Sequence, residues 1–253
     1  MALAVCLAQN GSLETRAFLL AAAPAQNPSS DHQGQIRPFT ATMTTKYLTE
    51  SGAELAFSYT FYKRSDGGCA EFGETEAFGE RGVYQDFTDP RRRVHTMLDF
   101  FVQAAVAFPL PDDASCKDGI VPVTCKGFGE GRWKVLGTGH LLNMPVIEVE
   151  EHVHRDIYRR IWVAPELGCF GLKVVEADAS RTRRIIEVLS VRLGEPEAWV
   201  FEVPSGFPLV TPLELEALTK QRFGRGGWGD AVAERLERKY WQDKARLERR
   251  LVQ

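Results

Sequence analysis

The sequence predicts a mainly β protein, an antiparallel domain closed by C-terminal helices. Three observations lead there. Two runs of strict alternation occupy 39–47 and 53–61; five β-rich segments, separated by turn residues, fill 131–192; helix signals gather at 89–108 and after Val210. Spacing of this kind marks an antiparallel meander and not βαβ units. The chain divides into a leader at 1–35, a β domain at 36–210 and a helical tail at 211–253.

In the first strand Phe39, Ala41, Met43, Thr45 and Tyr47 point one way; Thr40, Thr42, Thr44 and Lys46 point the other. A period of two with this much Thr is that of a half-buried strand. Glu50-Ser51-Gly52 turns the chain. Ala53, Leu55, Phe57, Tyr59 and Phe61 then face away from Glu54, Ser58 and Thr60, and Ser65-Asp66-Gly67-Gly68 turns the chain again. The result is a hairpin with one aromatic face and one wet face.

A period of 3.6 follows and predicts a helix over 89–108. Asp89 stands as its N-cap and Pro90 at its first position. Val94, Met97, Leu98, Phe101, Val102, Ala105 and Phe108 share one side until Pro109 and Pro111 stop it. Arg91, Arg92 and Arg93 fall in its first turn, where positive charge opposes the dipole, so they meet solvent or a nearby carboxylate. Strand signals resume at 131–136, 145–153, 157–163, 169–176 and 183–192, with breaks that include Gly137-Thr138-Gly139. Thr211-Pro212-Leu213-Glu214 is a capping box, Gly224 ends that helix, and Asp230 starts another with Ala233, Leu236, Tyr240, Leu247 and Leu251 as its apolar stripe.

Hydrophobic residues make up 44% and charged residues 26%, enough for a real core, and the net charge of −3 argues against a nucleic-acid binder. No apolar run reaches the roughly 20 residues of a bilayer-spanning helix. Arg16, the short apolar core at 17–23 and Ala23-Pro24-Ala25 sketch an export signal; the octet 1–8 reads alternatively as the tail of a longer one, with Cys6 near a lipid-attachment box. The remaining cysteines are Cys69, Cys116, Cys125 and Cys169. Cys116 and Cys125 bracket an Asp-Gly turn as a hairpin staple would, leaving Cys69 with Cys169. Three connectivities exist, and four buried thiols are the other reading.

Candidate chemistry is sparse. His152 and His154 are two apart on a strand, roughly 6–7 Å by strand rise, and His140 makes a third potential metal ligand; exposed histidines at a strand end are the simpler account. Glu148, Glu150 and Glu151 read as an edge of charge. Gly127-Phe128-Gly129-Glu130-Gly131 precedes a strand and not the helix a phosphate loop needs, so it is a turn. No Gly-x-Ser-x-Gly or His-Glu-x-x-His is present.

Two segments carry a resemblance. Trp162-Val163-Ala164-Pro165-Glu166-Leu167-Gly168 closes a Glu-rich strand. Gly194-Glu195-Pro196-Glu197-Ala198-Trp199-Val200-Phe201-Glu202-Val203-Pro204-Ser205-Gly206-Phe207 follows the last one. In this order, after the hairpin and the Asp-Pro segment, they resemble uncharacterised exported bacterial proteins of the LolA/LppX half-barrel superfamily, over 36–209. The resemblance implies an incomplete antiparallel barrel wrapped round a helical lid, with an apolar concave face that takes acyl chains or lipoprotein anchors. It implies no active-site residue. The apolar pattern at 89–108 and the tail at 224–253 depart from it.

The expected function is therefore non-catalytic: a protein of the periplasm or cell envelope that binds a lipid, an acyl chain or a lipoprotein without a cofactor. Phe57, Tyr59, Phe61, Phe101, Trp133 and Trp162 are the expected lining. A protein-interaction or sensory module acting through the last helix is the second reading. A metal-dependent hydrolase built on His152, His154 and Glu150 is the third.

Overall fold

The computed structural model describes residues 37–48, 54–77, 80–110, 133–154, 157–178 and 181–251. The leader, Cys6, Cys116, Cys125 and the turn at 127–131 lie outside the described residues. The strands are β1 (Phe39–Leu48), β2 (Glu54–Lys63), β3 (Cys69–Ala77), β4 (Glu80–Asp89), β5 (Val94–Asp99), β6 (Ala104–Pro109), β7 (Trp133–Leu141), β8 (Met144–His154), β9 (Ile157–Ala164), β10 (Phe170–Asp178) and β11 (Thr182–Leu193). Two helices follow, α1 (Pro212–Phe223) and α2 (Asp230–Leu251). All pairings are antiparallel, in the order β6-β5-β4-β3-β2-β1-β11-β10-β9-β8-β7, and the sheet does not close into a barrel.

The sheet curls strongly. Phe61 on β2 and Phe170 on β10 are three strand spacings apart, roughly 14 Å on a flat sheet. Their rings nevertheless stack at 4.9 Å, and Phe39 joins them at 5.9 and 4.9 Å. Register shifts at Thr42/Met43, Gly171/Lys173, Glu176/Ala177 and Val135/Gly137 add the local bends that curvature needs. The inner face, bearing Phe39, Ala41, Met43, Phe61, Ile161, Leu172 and Val174, is the main core.

The chain after β11 wraps the β6 end of the sheet. Val200, Phe201, Val203 and Phe207 cover Ala70, Phe87, Leu98 and Ala105 on the outer face. Ala105 N–H then donates to Pro208 O at 2.9 Å, and Val210 N–H donates to Ala105 O at 2.8 Å, so this edge is met at Ala105. Beyond that point α1 packs on the other face, where Leu215 and Leu218 meet Ala104, Val106, Met97 and Phe108. The capping box forms as the sequence indicates, and Gly224 ends α1 with φ 70°.

The helix expected over 89–108 is not formed; those residues make the β5–β6 hairpin and the turn before it. Asp89 does cap, but it caps a turn: its Oδ1 accepts from the N–H groups of Arg91 and Arg92 at 2.9 and 3.0 Å. Arg93 at φ 57° then reverses the chain. Asp99 repeats the device on Phe101 and Val102, with Gln103 at φ 52°. Both faces of this hairpin are covered, so both are apolar, and the alternation that marks a strand is erased. Of the arginines there, Arg91 lies 3.5 Å from Asp66 and Arg92 3.6 Å from Asp89. A second correction concerns Gly137-Thr138-Gly139, which lies within β7; the turn is at Leu142 and Asn143, both with positive φ. β3 and β4 carried no reading from the sequence.

Candidate functional site

At the β1–β2 turn end the inner face is open. Register places Thr45 opposite Phe57 and Tyr47 opposite Leu55 across β2; across β11 it places Ile186 opposite Thr45 and Arg184 opposite Tyr47. On β3, Gly73 lies between Tyr59 and Tyr84. A Cβ there would stand 2.7 Å from the Tyr84 ring and 2.8 Å from Tyr59 Cβ, so only glycine lets the Tyr84 ring lie across the strand. Thr45, Tyr47, Phe57, Tyr59, Tyr84, Arg184 and Ile186, with Glu71, Glu74 and Thr75, line an open cleft of about 270 Å³. Of these, Tyr47 and Phe57 remain 41 and 43% exposed, and Leu55, opposite Tyr47 on β2, is 55% exposed. The Tyr47 and Phe57 rings meet edge to face at 6.2 Å.

Burial pushes the Tyr59 phenol up to about 12, although its hydrogen bond with Thr45 pulls the other way. Burial, and then Glu71, raise Tyr84 as well. Both therefore present neutral hydroxyls. Beside them runs a row of alternating charge on the inner face of β8, β9, β10 and β11: Glu151, Arg159, Glu176 and Arg184. Arg159 reaches Glu151 at 3.3 Å and Glu176 at 2.9 Å, and Arg184 reaches Glu176 at 3.1 Å. The Arg184 guanidinium also stands 6.0 Å from the Tyr47 ring.

Asp86 on the inner face of β4 is held above the usual carboxylate range by burial, with His95 opposing the shift. A carboxyl raised in the folded state adds stability below its unfolded value near 3.8, and that stability is lost as pH rises through the folded value. Asp86→Asn is thus expected to raise the melting temperature at neutral pH, with the gain vanishing in acid. A melt series over pH checks it; a gain that grows in acid would refute it.

Of the six residues expected to line the site, Phe57 and Tyr59 stand in this cleft. Phe61 is 2% exposed inside the core. Phe101 packs on Gly82 and lies 6.0 Å from the Phe223 ring of α1. Trp133 and Trp162 pack half-buried against the core, Trp162 beneath Lys173. His140 pairs with Pro145 on β8, seven residues from His152, or roughly 23 Å along the strand. His152 is exposed, 3.9 Å from Glu150, and the side chain of His154 lies outside the described residues. Among the described residues no group of three or more His, Cys, Asp or Glu could hold a metal ion. Glu148 and Glu150 lie 3.4 and 3.5 Å from Arg160. Cys69 and Cys169 are both buried in the main core. Tyr84, Glu71 and Arg184 were missed as site residues. Tyr47 had a signal, since its alternation with Thr45 already put it on the aromatic face.

No family model matches this sequence. No curated protein is similar to it. Solved structures do match. An uncharacterised conserved protein from Thermus thermophilus is 9% identical with a TM-score of 0.46, covering 69% of this chain and 90% of that one. A chain of the MucA/MucB complex of Pseudomonas aeruginosa is 12% identical with a TM-score of 0.42, covering 69% of this chain and 58% of that one. The LolA superfamily protein NE2245 from Nitrosomonas europaea is 11% identical with a TM-score of 0.37, covering 66% and 90%. The superfamily that the sequence resembles is thus among the structural matches, at low identity and low TM-score. Among the described residues no helix is long and apolar enough to cross a membrane.

Proposed function

We propose that the protein is a non-catalytic binding module of the cell envelope that takes an acyl chain of a lipid or lipoprotein at the aromatic end of its curled sheet. One observation carries this reading: Tyr47 and Phe57 stay exposed in a cleft that the sheet's own side chains do not fill. A volume of about 270 Å³ is just below the range of small-molecule sites, so the cleft suits one end of a chain, with the rest lying along the mouth. Uptake of a fluorescent fatty acid by the full chain tests it. Phe57→Asp is expected to weaken uptake about tenfold or more, because an apolar contact becomes a buried charge, with little change in melting temperature. Equal uptake by the variant, or none by the parent, would refute the reading.

We propose further that Cys69 and Cys169, both buried in the main core, form a disulfide, which would suit the oxidising compartment of the envelope. Reduction is expected to cost on the order of 2–5 kcal/mol of stability, read as a lower denaturation midpoint with reductant present. An unchanged midpoint after complete reduction counts against it. A second reading, a protein-interaction module, draws on α2, which buries Ala233 yet leaves Trp241 49% exposed.

A further inference from the structure

We propose that the cleft binds a single-chain fatty-acid anion, with its carboxylate against Arg184 and its tail over Tyr47 and Phe57; this rests on the cleft being the binding site. The row of charge on the inner face is incomplete at its cleft end. Arg159 stands between two carboxylates and Glu176 between two guanidinium groups, whereas among the described residues Arg184 is ion-paired with Glu176 alone. The next strand places Tyr47, not a carboxylate, opposite Arg184. Arg184 lines the cleft, and its ion pair there is to Glu176 through Nη2 at 3.1 Å. A carboxylate entering the cleft therefore adds a charge-assisted hydrogen bond to a guanidinium that a single carboxylate engages. One monoanion completes the alternation.

The cleft also states where the tail goes. Glu71 lies on the inner face of β3, three strand spacings from Arg184 in the sheet, so it repels an anionic head from that wall. Between the two walls are Tyr47, Phe57 and Tyr59, whose apolar surfaces suit methylene groups. The head therefore sits at β11 and the tail crosses β1 and β2.

The test compares a long-chain fatty acid with the alcohol of the same chain length, titrated into the full chain at mildly alkaline pH. The parent protein is expected to favour the acid by about tenfold, because a charge-assisted hydrogen bond is roughly twice as strong as a neutral one. Arg184→Met should bring the two affinities together, and Arg184→Lys should keep part of the preference. Arg184→Met leaves Glu176 held by Arg159 at 3.2 and 2.9 Å, so no bare carboxylate results. Equal binding of acid and alcohol to the parent would overturn this proposal while the cleft reading stands. A preference that survives Arg184→Met would overturn the assignment of the head. Binding of neither ligand would remove the cleft reading itself, and this one with it.

Discussion

Phe61→Ala is expected to lower the melting temperature of the full chain by roughly 6–20 °C, from a loss of about 3–5 kcal/mol at 2–4 °C for each. The ring is 2% exposed and stacks on Phe170 at an interplanar angle of 20°. It is the contact through which β2 meets β10, so its removal takes away packing on both halves of the curl at once. The surrounding strands are held by their ladders and cannot collapse into the vacancy, which keeps the cost at the upper part of the range. Phe57→Ala is the control: it lies two turns of the alternation away on the same face but is 43% exposed, and it should change the melt by a few degrees at most. Equal melts for the two variants would show that the sheet halves do not seal at Phe61.

Glu216→Ala is expected to release α2 while the sheet stays folded. Glu216 is 3% exposed, and its carboxylate accepts from the N–H groups of Trp228 at 3.0 Å and Gly229 at 3.1 Å. Those donors lie at the entry to α2, whose first turn closes onto Gly229 O through Val232 and Ala233. Two hydrogen bonds to a buried charge are worth about 3–5 kcal/mol together, and alanine leaves both donors dry. Ala233 is the only fully buried apolar side chain of α2 among the described residues; the other contacts are more exposed, among them the Leu213 N–H donating to Glu237 at 3.1 Å and the Phe108 and Tyr240 rings at 6.4 Å. Gly226→Ala should act alike, because a Cβ there collides with the same carboxylate. Limited proteolysis reads the result: cleavage should appear at 225–229 with the sheet protected. Unchanged protection of α2 in both variants would refute the anchoring role.

The site was legible where one face is dry and the other wet. Phe57 and Tyr59 stood out because Ser58 and Thr60 flank them, and alternation assigns a face whatever the neighbours are. Tyr84 and Arg184 did not stand out. Each lies on a strand whose place beside the others is set by pairing, and a period of two says which face a residue takes but not which strand comes next. The same limit explains 89–108. There a covered hairpin and an amphipathic helix both place apolar residues on both parities, and the Asp that caps a helix also caps a turn.

From the sequence alone came the strand identities of β1, β2 and β8–β11, the aromatic face of the first hairpin, and the start and stop of α1. These are properties of neighbouring residues, expressed through backbone geometry. Tertiary structure decided how far the sheet curls, which part of the aromatic face Phe170 seals, and which part it leaves open. That outcome rests on contacts between residues from opposite halves of the chain, whose meeting no local period encodes.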